Sequence, residues 1–542
     1  MRIWLVVVVA CAFLLRVVGI ASYPVGFTPD EASWGYDAYS ILKTGKDQWG
    51  QTFPLTLRSF GDFKLPLYAY LTVPSVAVLG LNEFATRLPN AVVGTLAVIA
   101  TYLLASELFK NKKLALISAV LLTASPWHIT LSRGAFEANL TTFFLPFGAW
   151  AFLKGIEKPR WMLVSALCFG LNIYTYHSAR LVTPLIIGGL LWFTKGELSL
   201  RKYKLPVLVF SLFFVVALWT TFAGAGSRGA DIAIFNPTDK WSAVADRRYE
   251  AVLGGLPDTL SRIFSNKFIY TTKLFATNYV QYLSPEFLFF QGVGEWTYGM
   301  IPGRGVLYLA EIPFVLVALW SYLKRREKPL SFILLWILLA PIPAALTKGP
   351  GFAGNRSAVM MPAIQILSAY GALILWNTTK LWRGKKKWWL YGYVAASLFL
   401  IGSFAEDYIY HAPKHAADSM LYGRKEAVEY VASIEDQYKT IVINRSLSEP
   451  QIYVAFYNKW DPANYQKETK DWLRYEAAGM SFVDQLGKYR LGKYVFGNTH
   501  ETENLEKPIL LVGGVRDIPQ NAKIVKEVKS VDGRAVIFVA GK

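Results

Sequence analysis

Residues 65–81 read LPLYAYLTVPSVAVLGL, and the reading of this stretch fixes which way the rest of the chain faces. It is apolar but short, with Pro66 near its start and Pro74 in its middle. A proline within a helix removes a backbone hydrogen bond and collides with the preceding turn. The stretch is therefore expected to be a helix lying in the outer membrane interface or dipping partway in, with Tyr68 and Tyr70 at headgroup level. Eleven other stretches are apolar over a spanning length: 3–22, 88–108, 114–131, 139–153, 161–177, 181–194, 205–222, 305–323, 330–347, 357–378 and 388–404.

Five basic clusters lie between those stretches: Lys110 with Lys112 and Lys113; Lys154, Lys158 and Arg160; Lys195, Arg201, Lys202 and Lys204; Lys324 to Arg326 with Lys328; and Lys380, Arg383 and Lys385 to Lys387. Short loops rich in Lys and Arg stay in the cytoplasm. All five clusters reach that side only if 65–81 does not cross, because counting it as a span inverts everything after it. The N-terminus is then cytoplasmic. The outside receives a loop at 23–87, a short loop around 132–138, a turn at 178–180, a long loop at 223–304, the stretch 348–356 and everything after 404. So asymmetric a chain is expected to work at the outer surface of the cell membrane.

Composition agrees with a multi-pass membrane protein: 542 residues, 53% hydrophobic and 15% aromatic, with a mean hydropathy of +0.30. The net charge of +19 is not a nucleic-acid signature, since 19 Lys and Arg sit in the five clusters, where membrane orientation accounts for them. Cys11 and Cys168 both fall in apolar runs, so no disulfide framework is expected outside. Segment 3–21 is read as a retained first helix rather than a cleaved signal. From residue 405 the chain turns charged, with short strand-like runs at 440–443, 493–496, 509–512 and 535–539 and an amphipathic stretch at 424–434. The expected organisation is an α-helical polytopic domain over 1–404, carrying the outer loops 23–87 and 223–304, and a small α/β extracytoplasmic domain over 405–542. No nucleotide-binding glycine loop, metal-ligand spacing or repeat is found.

The first outer loop opens Thr28-Pro29-Asp30-Glu31. Adjacent carboxylates at a membrane surface repel each other and are costly to bury; they suit a catalytic base or metal site, or simply the capped first turn of a helix. Lys64 and Arg87 read singly as snorkelling anchors. With Arg133 and Glu137, however, they gather carboxylates and cations at one interface, as needed to grip a phosphate while a hydroxyl is deprotonated. Tyr174, Tyr176, His177 and Arg180 cluster where one span leaves the membrane and the next enters, a place that also suits an aromatic belt. Arg356 opens a span after a glycine-rich loop, and Glu295 lies near the end of the long loop. Tyr68, Tyr174, His177, Arg180 and Glu295 are candidate substrate contacts. His128 reads as packed, and Glu311 as a buried acid with a cation partner.

The order Asp-Glu after the first helix, then Lys-x-Pro-Leu-Tyr with Leu65 between, then Arg-Leu-Pro opening a span, then Arg with an acid four positions on, resembles the family 39 glycosyltransferases. These are GT-C-fold integral membrane enzymes that include protein mannosyltransferases and the aminoarabinose transferase for lipid A. The resemblance covers residues 1 to about 405. It implies inverting transfer of a sugar from a polyprenyl-phosphate donor to an acceptor hydroxyl on the outer face. Asp30 then matches the general base and Glu31 its neighbour, Lys64 the lysine that meets the carrier phosphate, Arg133 and Glu137 the second basic-acidic pair, and Arg356 the late phosphate-binding arginine. Glu137 stands where the family more often has Asp, and Leu65 where it has a second Pro.

The acceptor is expected to be a protein, a glycolipid or a wall polymer, with membrane lipids as surroundings and no nucleic-acid partner. No cofactor is required; Asp30, Glu31 and Glu137 could hold Mg or Mn, and some members of the family work without a metal. Two other classes fit less well. A transporter or flippase would carry ionisable groups in mid-membrane and paired broken helices, whereas here Glu107 and Glu311 are the main exceptions. A non-catalytic envelope assembly protein would tolerate changes at Asp30 and Lys64. For the orientation, a cysteine placed at Lys112 is expected to resist a membrane-impermeant thiol reagent added from outside and one at Asp62 to react; the opposite pattern reverses the reading.

Overall fold

The computed structural model describes residues 2–61, 63–195, 200–222, 233–235, 241–348, 353–379, 387–480 and 483–542. Asp62, most of the last basic cluster (Lys380, Arg383, Lys385 and Lys386) and parts of the 223–304 and 348–356 loops lie outside the described residues. The first half is helical: α1 (Arg2–Val17), α2 (Pro29–Thr44), a short hairpin of β1 (Leu57–Arg58) and β2 (Phe63–Lys64), then α3 (Leu67–Leu79), α4 (Glu83–Phe109), α5 (Lys112–Ala124), α6 (Pro126–Arg133), α7 (Thr141–Glu157), α8 (Arg160–Asn172), α9 (His177–Phe193) and α10 (Lys204–Thr220). Helix α4, 27 residues long, is about 40 Å end to end and packs against α1, α5 and α7.

Helix α3 covers the stretch whose reading sets the orientation. Its 13 residues span about 20 Å, short of the roughly 30 Å hydrocarbon core. Its two tyrosines, expected at the membrane interface, make contacts within the protein. Tyr68 is fully buried, its ring 5.6 Å from that of Trp34, and its hydroxyl donates to the Thr86 carbonyl at 2.8 Å. Tyr70 donates to the Pro54 carbonyl at 2.9 Å. Helices α2 and α4 flank α3, so protein rather than lipid surrounds this face.

Among the described residues, Glu83–Phe109, Lys328–Ala345 and Ala358–Thr378 are each long and apolar enough to cross a membrane, and α5 with α6 makes a pair bent by 57°. That bend falls inside the expected span 114–131. Ser125 ends α5 and caps α6, accepting from the His128 amide, and Pro126 starts the new helix, a position where its missing N–H costs nothing. The remaining expected spans are helical with shifted bounds: α8 stops at Asn172 and Ile312–Arg325 begins seven residues after 305, whereas Thr141–Glu157, His177–Phe193 and Lys387–Glu406 run past the stretches drawn at 139–153, 181–194 and 388–404.

Buried charges inside the helical unit have local partners. Glu107 meets Lys154 at 2.8 Å and also pairs with Lys110. Among the described residues Glu311 has no cation partner; it accepts from Ser368 at 2.7 Å and from the Tyr308 amide at 3.2 Å. Arg16, overlooked as a charge within the first span, is wholly buried and bonds the Ala12 and Leu122 carbonyls and His128, 2.7 Å away. His128 is packed, as expected.

The helix Lys387–Glu406 runs on through a turn at Asp407–His411 into Ala412–Ala416, so residue 405 falls within a helical run. Beyond it lies a six-stranded mixed sheet of order β4-β5-β3-β6-β8-β7, comprising β3 (Thr440–Asn444), β4 (Tyr489–Leu491), β5 (Tyr494–Gly497), β6 (Ile509–Gly513), β7 (Lys523–Lys529) and β8 (Ala535–Gly541). The centre is parallel, with Val442 paired to Val495 and to Leu511; β4, β7 and β8 join antiparallel. Both faces of a parallel centre are covered, and β3 and β6 are apolar and buried accordingly. The edge strand β7, KIVKEVK, is largely exposed, and β4 has only three residues; neither stood out in the sequence. This C-terminal domain shares one hydrophobic core with the first outer loop, where Phe27, Tyr36 and Phe60 join Tyr453, Phe456 and Trp472.

Candidate active site

The start of α2 separates the two adjacent acids. Thr28 and Glu31 form a reciprocal capping box, with Pro29 in the first turn. Glu31 goes further than capping. Its carboxylate takes Arg87 Nε at 2.7 Å and Nη2 at 2.9 Å, and the Ala135 amide at 2.9 Å. Arg87 spends its other donors on the carbonyls of Ile20 and Pro24, each at 3.0 Å, and Gly26 at 2.6 Å. Both side chains are 0% exposed. Glu31 as a catalytic acid and Arg87 as a phosphate ligand are therefore corrected: every hydrogen bond each can offer is committed inside the protein, and the pair is a structural pin.

Asp30 lies about 100° around the helix from Glu31 and points outward, 49% exposed. Lys64 Nζ meets it at 2.6 Å. The ammonium also sits 5.0 Å from the Trp34 ring and 5.6 Å from that of Phe60, an aromatic seat that favours a cation. The hairpin delivers Lys64 there, with Leu57 opposite Lys64 and Arg58 opposite Phe63.

Asp30 and Lys64 line a cavity of about 340 Å³ together with Glu137, His177 and Arg356, within the usual range for ligand sites. The cavity is shared by polar Tyr176, Tyr298 and Asn355 and apolar Leu65, Leu181 and Leu346. Arg356 is braced by Nη1 donating to Thr347 Oγ1 at 2.7 Å and to the Lys348 carbonyl at 2.8 Å. His177 Nε2 lies 3.3 Å from the Phe63 carbonyl, and Asn355 donates to the Tyr176 hydroxyl at 3.2 Å. Four stretches far apart in sequence thus bring two acids and two cations to one cavity.

The other expected site residues lie elsewhere. Arg133 holds the end of α1, donating to the Leu15 carbonyl at 2.6 Å and the Val18 carbonyl at 2.8 Å, so it and Glu137 do not act as a pair on one ligand. Tyr68 is core. Tyr174 donates to the Phe213 carbonyl at 3.1 Å. Arg180 is spent on the Ile173 carbonyl and on Thr220 and Thr221; its guanidinium lies over the Tyr174 ring, outside the cavity lining. Glu295 accepts from Thr297 at 3.0 Å, outside that lining as well. Tyr298 and Thr347 were missed; they come from irregular segments, where no periodicity marks a side chain as facing inward.

Three further acids, Asp37, Asp47 and Glu449, lie beyond the Asp30–Lys64 pair, and Asp37 and Glu449 are within electrostatic reach of Lys64. Asp37, two turns along α2, and Asp47 are buried, and burial pushes both above the usual carboxylate range; the Gln48 amide and side chain hold Asp37. From the C-terminal domain comes Glu449. Burial first and then Asp484 push it up to about 8, and Asp30 and Lys64 are within its electrostatic reach. Nothing in the sequence tied Glu449 to the first loop. Among the described residues no three His, Cys, Asp or Glu side chains come close enough to hold a metal ion. With Glu31 turned away onto Arg87, the set Asp30, Glu31 and Glu137 does not fit Mg or Mn, and no chemical step is routed through one.

The architecture is that of the GT-C membrane proteins. Solved structures of ArnT from Cupriavidus metallidurans align over 99% of this chain: the apo form with a TM-score of 0.56 at 13% identity over 97% of that chain, and the form bound to undecaprenyl phosphate with 0.54 at 14% identity over 98%. At these identities the likeness is one of fold. The family model described as dolichyl-phosphate-mannose-protein mannosyltransferase matches residues 64–220. The chain is also similar to the undecaprenyl phosphate-alpha-4-amino-4-deoxy-L-arabinose arabinosyl transferase 1 of Pseudomonas fluorescens, 26% identical over 358 residues, which is 65% of this chain and 55% of that protein. The match thus spans little more than half of that relative. The chain is a membrane protein of GT-C fold, similar to the family 39 glycosyltransferases.

Glu31→Gln is expected to lower stability by about 3 kcal/mol, since it strands the Arg87 guanidinium without a counter-charge; a thermal melt of the purified protein reads it, and an unchanged melt removes the pin. Glu449 gives a pH test. Its folded pKa lies above the ordinary 4.5, so its favourable contribution is complete below pH 4.5 and is lost as pH rises towards about 8. Glu449→Gln is expected to melt progressively higher than the unaltered protein across that window, the gap widening by about 3 °C or more; a constant gap refutes it.

Proposed function

We propose that this protein transfers a sugar from a polyprenyl-phosphate donor to an acceptor hydroxyl at the extracytoplasmic face of the membrane, with inversion at the anomeric carbon. The observation that carries the reading is the convergence of Asp30, Lys64, Glu137 and Arg356 on one cavity. An outer-face enzyme has no access to cytoplasmic nucleotide sugars, and a lipid-linked donor meets that need. The fold likeness to ArnT, one structure of which is bound to undecaprenyl phosphate, and the family-model match over 64–220 support the same reading.

In this scheme the donor phosphate enters between Lys64 and Arg356, whose positive charges hold it and stabilise the charge it gains on leaving. Lys64 carries three N–H donors and can turn from Asp30 to the phosphate. Asp30, relieved of its counter-ion, then accepts the proton of an acceptor hydroxyl aligned with the anomeric carbon. The acceptor oxygen forms its bond to that carbon as the carbon–oxygen bond to phosphate breaks, the electron pair leaving with the phosphate. Glu137, His177, Tyr176 and Asn355 offer hydrogen-bond partners to sugar hydroxyls, and the apolar wall takes the start of the carrier chain. The N-terminus is cytoplasmic and the C-terminal domain outside. The sugar is a hexose or pentose, and the acceptor a protein Ser or Thr, a glycolipid or a wall polymer.

Asp30→Asn is expected to leave the protein folded and membrane-inserted while lowering transfer at least 100-fold, the scale of a lost general base. Mass spectrometry of envelope proteins and lipids from cells with the protein, without it, and with the variant reads this. Full transfer by Asp30→Asn removes Asp30 as the base, and identical envelopes with and without the protein remove the transfer reaction itself.

A further inference from the structure

The C-terminal domain grips both carriers of the Asp30–Lys64 pair, and it does so at separate places. The helix Pro450–Tyr457 packs along α2 itself. Tyr453, fully buried, donates to the Phe27 carbonyl at 2.8 Å, one residue before the cap that begins α2. Phe456 packs against Phe27 in a tilted arrangement with ring centres 5.0 Å apart. It also presses so closely on Gly35 that a Cβ there would lie 2.5 Å from Phe456 Cε2 and 2.5 Å from Thr86 Oγ1, too close for any real contact. Helix α2 is thus pinched between α4 and the C-terminal domain.

At the far end of α2, Gln466 donates to Ser40 Oγ at 2.9 Å, to Thr44 Oγ1 at 3.0 Å and to the Asp47 carbonyl at 2.9 Å. The hairpin that bears Lys64 is held through different polar contacts, by the ion pair of Arg58 with Glu476 and by the Val483 amide donating to the Phe60 carbonyl at 3.4 Å. The turn before the Pro450 helix is itself forced: Ser448 and Glu449 adopt φ of 53° and 50°, a region costly for residues with a Cβ and one that persists where surrounding contacts over-determine it.

We infer that the C-terminal domain is a clamp that sets the Asp30–Lys64 geometry, with Tyr453 the positioning residue for the base and Glu476 that for the phosphate-binding lysine. Neither touches substrate; each acts through the element it holds. The inference rests on the transfer reaction proposed above and assigns this domain to the reaction itself rather than to separate partner binding. Because the two grips are distinct, their loss separates. Weakening the hold on α2 misplaces the base and slows transfer without loosening the phosphate; weakening the hold on the hairpin does the reverse.

The test uses full-length protein with two readouts: binding of undecaprenyl phosphate to the purified protein, and product accumulation by mass spectrometry in cells making each variant at equal level with saturating donor. Tyr453→Phe is expected to lower the transfer rate about fivefold, the scale of one buried hydrogen bond, with undecaprenyl phosphate affinity within about twofold and a melting temperature lower by no more than about 4 °C, still well above the assay temperature. Glu476→Arg, which sets two cations against each other, is expected to weaken undecaprenyl phosphate binding about threefold while the rate at saturating donor stays near that of the unaltered protein. If either variant changes both readouts together, or loses activity only in proportion to the protein unfolded at the assay temperature, or if both match the unaltered protein, the clamp is overturned. If the unaltered protein itself forms no product, the transfer reaction fails, a result distinct from any of these.

Discussion

A single buried ion pair, Glu31 with Arg87, organises the part of this molecule that carries the cavity. Two unit charges held at 0% exposure are tolerated only where each finds full compensation. Here that compensation is drawn from five places at once: the end of α1 through Ile20, the linker through Pro24 and Gly26, the cap of α2, the side of α4, and the amide of Ala135 beyond α6. None of these segments can shift without unsatisfying a charge in a low-dielectric interior. The pair therefore fixes the pose of α2 and, with it, the direction in which Asp30 points.

The cavity follows from that pose. Asp30 looks outward because Glu31 looks inward, and the aromatic seat of Trp34 and Phe60 then receives Lys64. The two opposite charges, Asp30 and Lys64, pair at 2.6 Å. A phosphate competes for the lysine far better than water does, so under the proposed chemistry the arrival of donor is what frees the carboxylate. This ties proton removal to the presence of a leaving group and limits wasteful attack by water.

Much of the plan was legible in the sequence. Apolar runs marked the helices, and the order of short motifs marked Asp30, Lys64, Glu137 and Arg356, which do share a cavity. The prolines at 66 and 74 argued correctly for a short α3. What the sequence could not show was direction. Asp30 and Glu31 are chemically alike neighbours, and only the helix phase and the position of Arg87 decide which is buried. Arg133 and Arg180 carried the same charge as Lys64 but were claimed by carbonyls and hydroxyls that ordinary sequence gives no hint of. Tyr68 read as an interfacial residue because the packing of α2 and α4 over it is a long-range fact. The same holds for Glu449, more than 400 residues from Asp30 in the chain and yet within its field.

The core shared by Phe27, Tyr36 and Phe60 with Tyr453, Phe456 and Trp472 has a consequence for biogenesis. Ribosomes add roughly 5–20 residues per second, so the first loop emerges on the order of 20–80 s before the segment that completes its interior. Through that interval its apolar side chains have no native cover, which makes this loop a natural client for membrane-associated chaperones. It also means the chain gains a competent centre only after its last-made strands have docked, a timing that keeps unfinished copies inert.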